Sequence, residues 1–102
     1  MSRKRFPATA RIDAAVALFA ALSHPVRLRI LVALSREGPL SAGDLQDFAD
    51  AEQSLVSHQL STLKRNRLVS VDRDGRRMIY SLLDEHVAHI VEDAIKHVSE
   101  KR

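Results

Sequence analysis

The chain contains no cysteine and no tryptophan among its 102 residues. Without cysteine there is no disulfide framework, no thiolate metal site and no cysteine nucleophile. The soft ligands suited to Cu(I) or arsenite are excluded with it, so any metal site here must use nitrogen and oxygen. No apolar run approaches the roughly 20 residues that span a bilayer, and no membrane partner is expected. Low-complexity tracts are also missing, and the length suits one domain over 1–102 with one modest core. Within it, residues 1–10 read as a flexible basic arm carrying Arg3, Lys4 and Arg5. That arm followed by "AAVALFAAL" has the order of a signal peptide. Arg11 and Asp13 interrupt it, however, and the apolar segment runs straight into a second helical pattern. A cytoplasmic location is expected.

What is present is basic and mostly helical. The formal net charge is +3, a weak signal alone, but its distribution is informative. Basic residues gather at the start, at Lys64, Arg65 and Arg67, and at Arg73, Arg76 and Arg77. A first helix covers Ile12 to Leu22. "SHP" stops it and opens a second, with Ser23 expected as N-cap and Pro25 in the first turn. That helix is apolar nearly all round, as a central buried helix is, and Gly38 with Pro39 ends it. Ser41 caps a short third helix carrying Leu45 and Phe48. A break near Asp50 and Ala51 leads to a fourth helix, whose core stripe is Val56, Leu60 and Leu63. The period then changes from 3.6 to 2 around an Asp74-Gly75 turn, which predicts a β-hairpin with "DRDGRR" at its tip. A final helix begins near Asp84.

Two short helices joined by a tight turn and followed by an arginine-tipped hairpin form a winged helix-turn-helix. The expected fold is therefore mainly α with a β-hairpin: five helices, a two-stranded wing, and a homodimer formed through the N- and C-terminal helices. The outer side of the fourth helix offers Gln53, Ser54, Ser57, His58, Ser61 and Lys64, which are hydrogen-bonding or basic and free of carboxylates. Such groups read base edges without repelling phosphates. Arg73, Arg76 and Arg77 on the wing are expected to reach phosphates or a minor groove. The expected partner is thus double-stranded DNA, bound by a two-fold dimer on a palindromic operator.

The stretches "ALSHPVRLRILVAL", "SAGDL" and "SLVSHQLSTLKRNRLVSVDRDGRRMIYSL" resemble the ArsR/SmtB family of bacterial metal-sensing repressors, from about Ala15 to Glu100. The resemblance implies a homodimer that represses by binding operator DNA and releases it on binding an effector. Many members carry a Cys-x-Cys segment beside an Asp-Leu pair. Ser41 and Gly43 stand there in "LSAGDL", so that site is absent. Other members hold metal on the terminal helix in the pattern Asp-x-His-x10-His-x2-Glu/His. Asp84, His86, His97 and Glu100 occupy that register, and the resemblance makes them the expected metal ligands.

These four cannot meet on one straight helix. His86 and His97 are 11 residues apart, or about 16 Å at 1.5 Å per residue, whereas zinc holds its ligand atoms at about 2.0–2.2 Å. An antiparallel pair of the same helix can do it. The residue-number sums of Asp84 with Glu100 and of His86 with His97 differ by one, so a dyad near Val91 and Glu92 joins both pairs. Each of two sites would take Asp84 and His86 from one chain and His97 and Glu100 from the other. Val87, Val91, Ala94 and Val98 form an adjacent apolar stripe expected to pack the two helices. Two nitrogens and two carboxylates suit Zn²⁺, with Co²⁺ as a spectroscopic substitute. Ni²⁺ or Co²⁺ as the sensed ion would prefer further ligands, and a repressor that ignores metal is the alternative reading. Four protein ligands leave no open position for a hydrolytic water, and no nucleophile–base pair is visible, so no enzyme is expected.

Overall fold

The computed structural model describes residues 5–100. Arm residues 1–4 lie outside that range, and Thr9 and Ala10 already belong to the first helix, α1 (Thr9–Leu22). Ser23 was expected to cap the second helix. Instead its N–H closes α1 on the carbonyls of Phe19 and Ala20. The cap of α2 (Pro25–Glu37) is His24, whose Nδ1 accepts from the Val26 N–H at 3.2 Å. The cause is Pro25. A residue before proline is driven to extended backbone, and His24 sits at φ −141, ψ 125, where an N-cap belongs. The axes of α1 and α2 bend by 92° across this junction.

Helix α2 is the centre of the molecule, with Ile30 and Leu31 wholly buried and Ala33 and Leu34 nearly so. Gly38, at φ 85, ends it in a conformation that L side chains rarely adopt. A two-residue strand, β1 (Leu40–Ser41), precedes α3 (Ala42–Ala49). Ser41 caps α3 through a reciprocal box: its Oγ accepts from the Asp44 N–H at 3.1 Å, and the Asp44 carboxylate accepts from the Ser41 N–H at 3.0 Å. The chain then reverses through left-handed Asp50 into α4 (Gln53–Arg65), completing the helix-turn-helix. Val56, Leu60 and Leu63 are fully buried on its inner face. Each such burial is worth roughly 1.5–3 kcal/mol relative to exposure.

The hairpin comprises β2 (Val69–Asp74) and β3 (Arg77–Leu82). The wing differs from expectation in two respects. It is three-stranded at its root, because β1 pairs antiparallel with β3 to give the order β1-β3-β2. Its turn also lies one residue later. Asp74 pairs with Arg77, so the loop residues are Gly75 and Arg76, with Gly75 at φ 64 in the first position as a type II′ turn requires. Helix α5 (Glu85–Ser99) follows, capped by Asp84. The described residues form a mainly helical winged helix-turn-helix with five helices and a small sheet.

The stripe expected to pair two copies of α5 is divided. Val87 and Val91 face inward and are buried in the protomer's own core, at 6% and 0% exposure. Ala94 and Val98 remain exposed. An apolar stripe on a helix specifies burial, not whose core it enters.

Candidate DNA-binding face and metal centre

Because its inner face is fixed by Val56, Leu60 and Leu63, α4 turns Gln53, Ser54, Ser57, His58, Ser61 and Lys64 outward, and all six are exposed. The wing stands beside them. A cavity of about 410 Å³ separates the two, with Gln53 and Ser57 on one side and Arg76, Arg77 and Tyr80 on the other. Helix and wing residues thus share one side of the molecule. Arg73 and Arg76 are exposed and, among the described residues, enter no ion pair. Arg77 differs: its guanidinium donates to Ser41 Oγ and to Asp44 Oδ2, each at 3.0 Å. The Asp44 carboxyl is held below the usual range, chiefly by the Ser41 N–H and hydroxyl and further by Arg77. The carboxylate-free reading of the α4 face also needs an amendment, since Glu52, its N-cap, accepts from the Ser54 hydroxyl at 3.3 Å.

Sequence reasoning missed two residues that hold α4 in place. Gln59 is 7% exposed, and its Oε1 accepts from Arg27 at 3.0 Å. The same guanidinium donates to the Ala21 carbonyl at 2.7 Å and the Ala20 carbonyl at 3.4 Å. Arg27 therefore joins the C-terminus of α1 to the back of α4. Helical period marks Gln59 only as polar and gives no sign of its burial.

The candidate metal ligands lie at the two ends of α5. Asp84, the N-cap, accepts from the Val87 N–H at 3.2 Å, and the same oxygen is 3.5 Å from His86 Nδ1. A carboxylate and an imidazole converge there, the oxygen–nitrogen chemistry that zinc accepts. His97 lies in the last turn and Glu100 at the C-cap, both exposed. No three such residues converge on one point among the described residues, and the two pairs stand at opposite ends of the helix. His89 and Asp93, also on α5, are exposed. Opposite the ligands, Glu92 anchors α5 to α2. Arg36 donates to it through both Nε and Nη2, the shortest contact being 2.9 Å, and this lowers the Glu92 carboxyl.

Much apolar surface is left open. Ile12, Val16 and Phe19 form a stripe along α1, with Val16 and Phe19 about 60% exposed, and Val98 on α5 is 76% exposed. Between α2, α3 and α5 lies an apolar groove of about 770 Å³ lined by Leu28, Val32, Phe48 and Ile95 among others. No single described helix is long and apolar enough to cross a membrane.

A family model described as a helix-turn-helix domain matches residues 22–72. The transcriptional regulator NmtR of Mycobacterium tuberculosis is 51% identical over 77 residues, covering 76% of this chain and 63% of that protein. The transcriptional repressor SmtB of the same organism is 43% identical over 89 residues, covering 87% and 65%. The matched region is thus a little under two thirds of the length of both relatives. The solution structure of apo-NmtR is 43% identical, covers 95% of this chain and 82% of that one, and superposes with a TM-score of 0.72.

Proposed function

This chain belongs to the ArsR/SmtB family of helix-turn-helix transcriptional regulators, which are not enzymes, and from that premise we propose that it is a zinc-responsive repressor. Its homodimer binds operator DNA in the cytoplasm without metal. Zn²⁺, held by Asp84 and His86 of one chain and His97 and Glu100 of the other, weakens that binding.

One observation supports the reading: all four residues are exposed, with Asp84 and His86 at the start of α5 and His97 and Glu100 at its far end, a separation that calls for a second chain if they are to hold one ion. The open stripe Ile12, Val16 and Phe19 supports the same partner, since monomeric proteins rarely leave large contiguous apolar surface uncovered. DNA contact is assigned to Gln53, Ser54, Ser57, His58, Ser61 and Lys64 of α4 and to the wing arginines Arg73, Arg76 and Arg77. Metal acts through its differential affinity for two dimer arrangements. By linkage, DNA must weaken metal binding by the same factor.

The test is Co²⁺ titration followed by absorption, with DNA binding measured in parallel on wild type and His97→Ala. Intense tetrahedral bands that disappear in the variant, together with metal-driven DNA release, are expected. Operator affinity that ignores both Zn²⁺ and chelator would instead identify a metal-insensitive repressor.

A further inference from the structure

We propose that Asp44 and Arg77 form a lock holding the wing against the helix-turn-helix, so that Arg77 serves DNA binding by positioning the wing and not by touching a phosphate. The proposal rests on the DNA-binding reading above and changes the part played by one of its arginines.

The strand register explains why the lock forms. Ser41 of β1 pairs with Ile79 of β3, and directly paired residues point to the same sheet face. Arg77, two residues before Ile79, shares that face and lies diagonal to Ser41, within reach of a long side chain. Its guanidinium meets both partners of the α3 capping box, Ser41 Oγ and Asp44 Oδ2, each at 3.0 Å. Asp44 Oδ2 also accepts the Ser41 N–H. One carboxylate oxygen therefore ties β1, α3 and β3 together.

The position of this tie matters mechanically. Strand β1 is only two residues long and supports β3 at Ile79 and Tyr80 alone. Beyond that point the wing is a two-stranded ribbon, which twists readily and is marginal by itself. Arg77 ties the ribbon to the body at its last paired rung, with Arg76 beyond it in the turn and Arg73 one rung nearer the root, opposite Met78. The lock therefore fixes the angle at which those two free arginines project beside α4. Charge gives a second reason. A phosphate arriving at Arg77 would face the Asp44 carboxylate at hydrogen-bond distance from the same guanidinium, whereas Arg73 and Arg76 have no such anion in an ion pair with them among the described residues.

The two roles make opposite predictions for Asp44→Asn. If Arg77 binds phosphate, removing the neighbouring negative charge strengthens DNA binding. If Arg77 positions the wing, the same change weakens it. Wild type, Arg77→Gln, Asp44→Asn and the double variant are titrated by fluorescence anisotropy, across a salt series, against a duplex that the wild-type protein selects from a randomised pool. Each single variant is expected to bind roughly two- to fivefold more weakly, the range for one exposed ion pair, and the double no more weakly than the singles. The salt slope stays at the wild-type value. In the free protein, amide hydrogen exchange over Asp72–Met78 is faster in both singles. Tighter binding by Asp44→Asn, a slope flattened by about 0.9 in Arg77→Gln, or unchanged wing exchange overturns the lock. A wild-type protein that selects no duplex would instead overturn the DNA-binding reading.

Discussion

Replacing Arg27 by methionine removes a side chain whose hydrogen bonds tie α1, α2 and α4 together. Methionine retains most of the packing of the aliphatic stem, so the loss is mainly polar. Two good hydrogen bonds disappear, to the Ala21 carbonyl at 2.7 Å and to Gln59 Oε1 at 3.0 Å, with a weaker third at 3.4 Å. Gln59 is 7% exposed, so its amide oxygen is left without a partner where water has little access. A hydrogen bond to a charged group contributes about 1.5–3 kcal/mol, and a stranded buried acceptor costs about 1–3 kcal/mol. Allowing for rehydration of the carbonyls at the end of α1, the expected destabilisation is about 3 kcal/mol. With a urea m-value of about 1.5 kcal/mol/M, the unfolding midpoint falls by about 2 M. Protomer concentration must be held fixed, because an assembling chain has a concentration-dependent stability. Adding Gln59→Leu removes the stranded acceptor, so the double variant should recover about 1–2 kcal/mol of the loss. A midpoint unchanged by Arg27→Met, or single effects that simply add in the double, would refute the network.

Two further outcomes follow from exposed features. Phe19→Asp places a charge in the open α1 stripe, where the side chain is 61% exposed in the protomer; helical content should persist while sedimentation shifts to one species of 11.4 kDa. Arg36 holds the Glu92 carboxyl below its ordinary value, so this pair contributes stability above the ordinary carboxylate range and loses it as pH falls through the lowered value. Glu92→Gln should flatten that acid limb in thermal melts recorded between neutral and acid pH; an unchanged limb would count against the pair.

Where local chemistry decides the structure, it could be read from the residues. The stripe Val56, Leu60 and Leu63 set the orientation of α4, and hence of the exposed polar side, because burial of three branched side chains outweighs any surface preference. The Ser41 cap has a similarly local cause, and Gly75 marks the hairpin turn, although the loop falls on Gly75 and Arg76, one residue later than the Asp74-Gly75 pair suggests. Misreadings arose wherever two equivalent local signals competed or a distant partner decided. Ser23 and His24 both can cap, and Pro25 selects the residue immediately before it. β1 has only two residues, too few to show any alternation. Arg77 looks like any other basic wing residue until the strand register brings Asp44 beside it, 33 positions away in the chain.

Helix α5 shows how such partners divide one element among separate tasks. Its inner face is committed to the protomer by Val87 and Val91, and its flank by the two-pronged contact from Arg36 to Glu92. Among the residues left outward are His86, His97, Ala94 and Val98. At about 100° per residue His86 and His97 point within roughly 20° of each other, yet they stand about 16 Å apart along the axis. Side chains on one helix cooperate over three or four residues, so a spacing of eleven serves no one-chain site. An antiparallel copy reverses the axis and brings each end of α5 beside the other. In the proposed sensor, assembly and metal binding are then one equilibrium: the protomer holds half-sites only, and any change that separates the chains removes the metal response even with all four ligands intact.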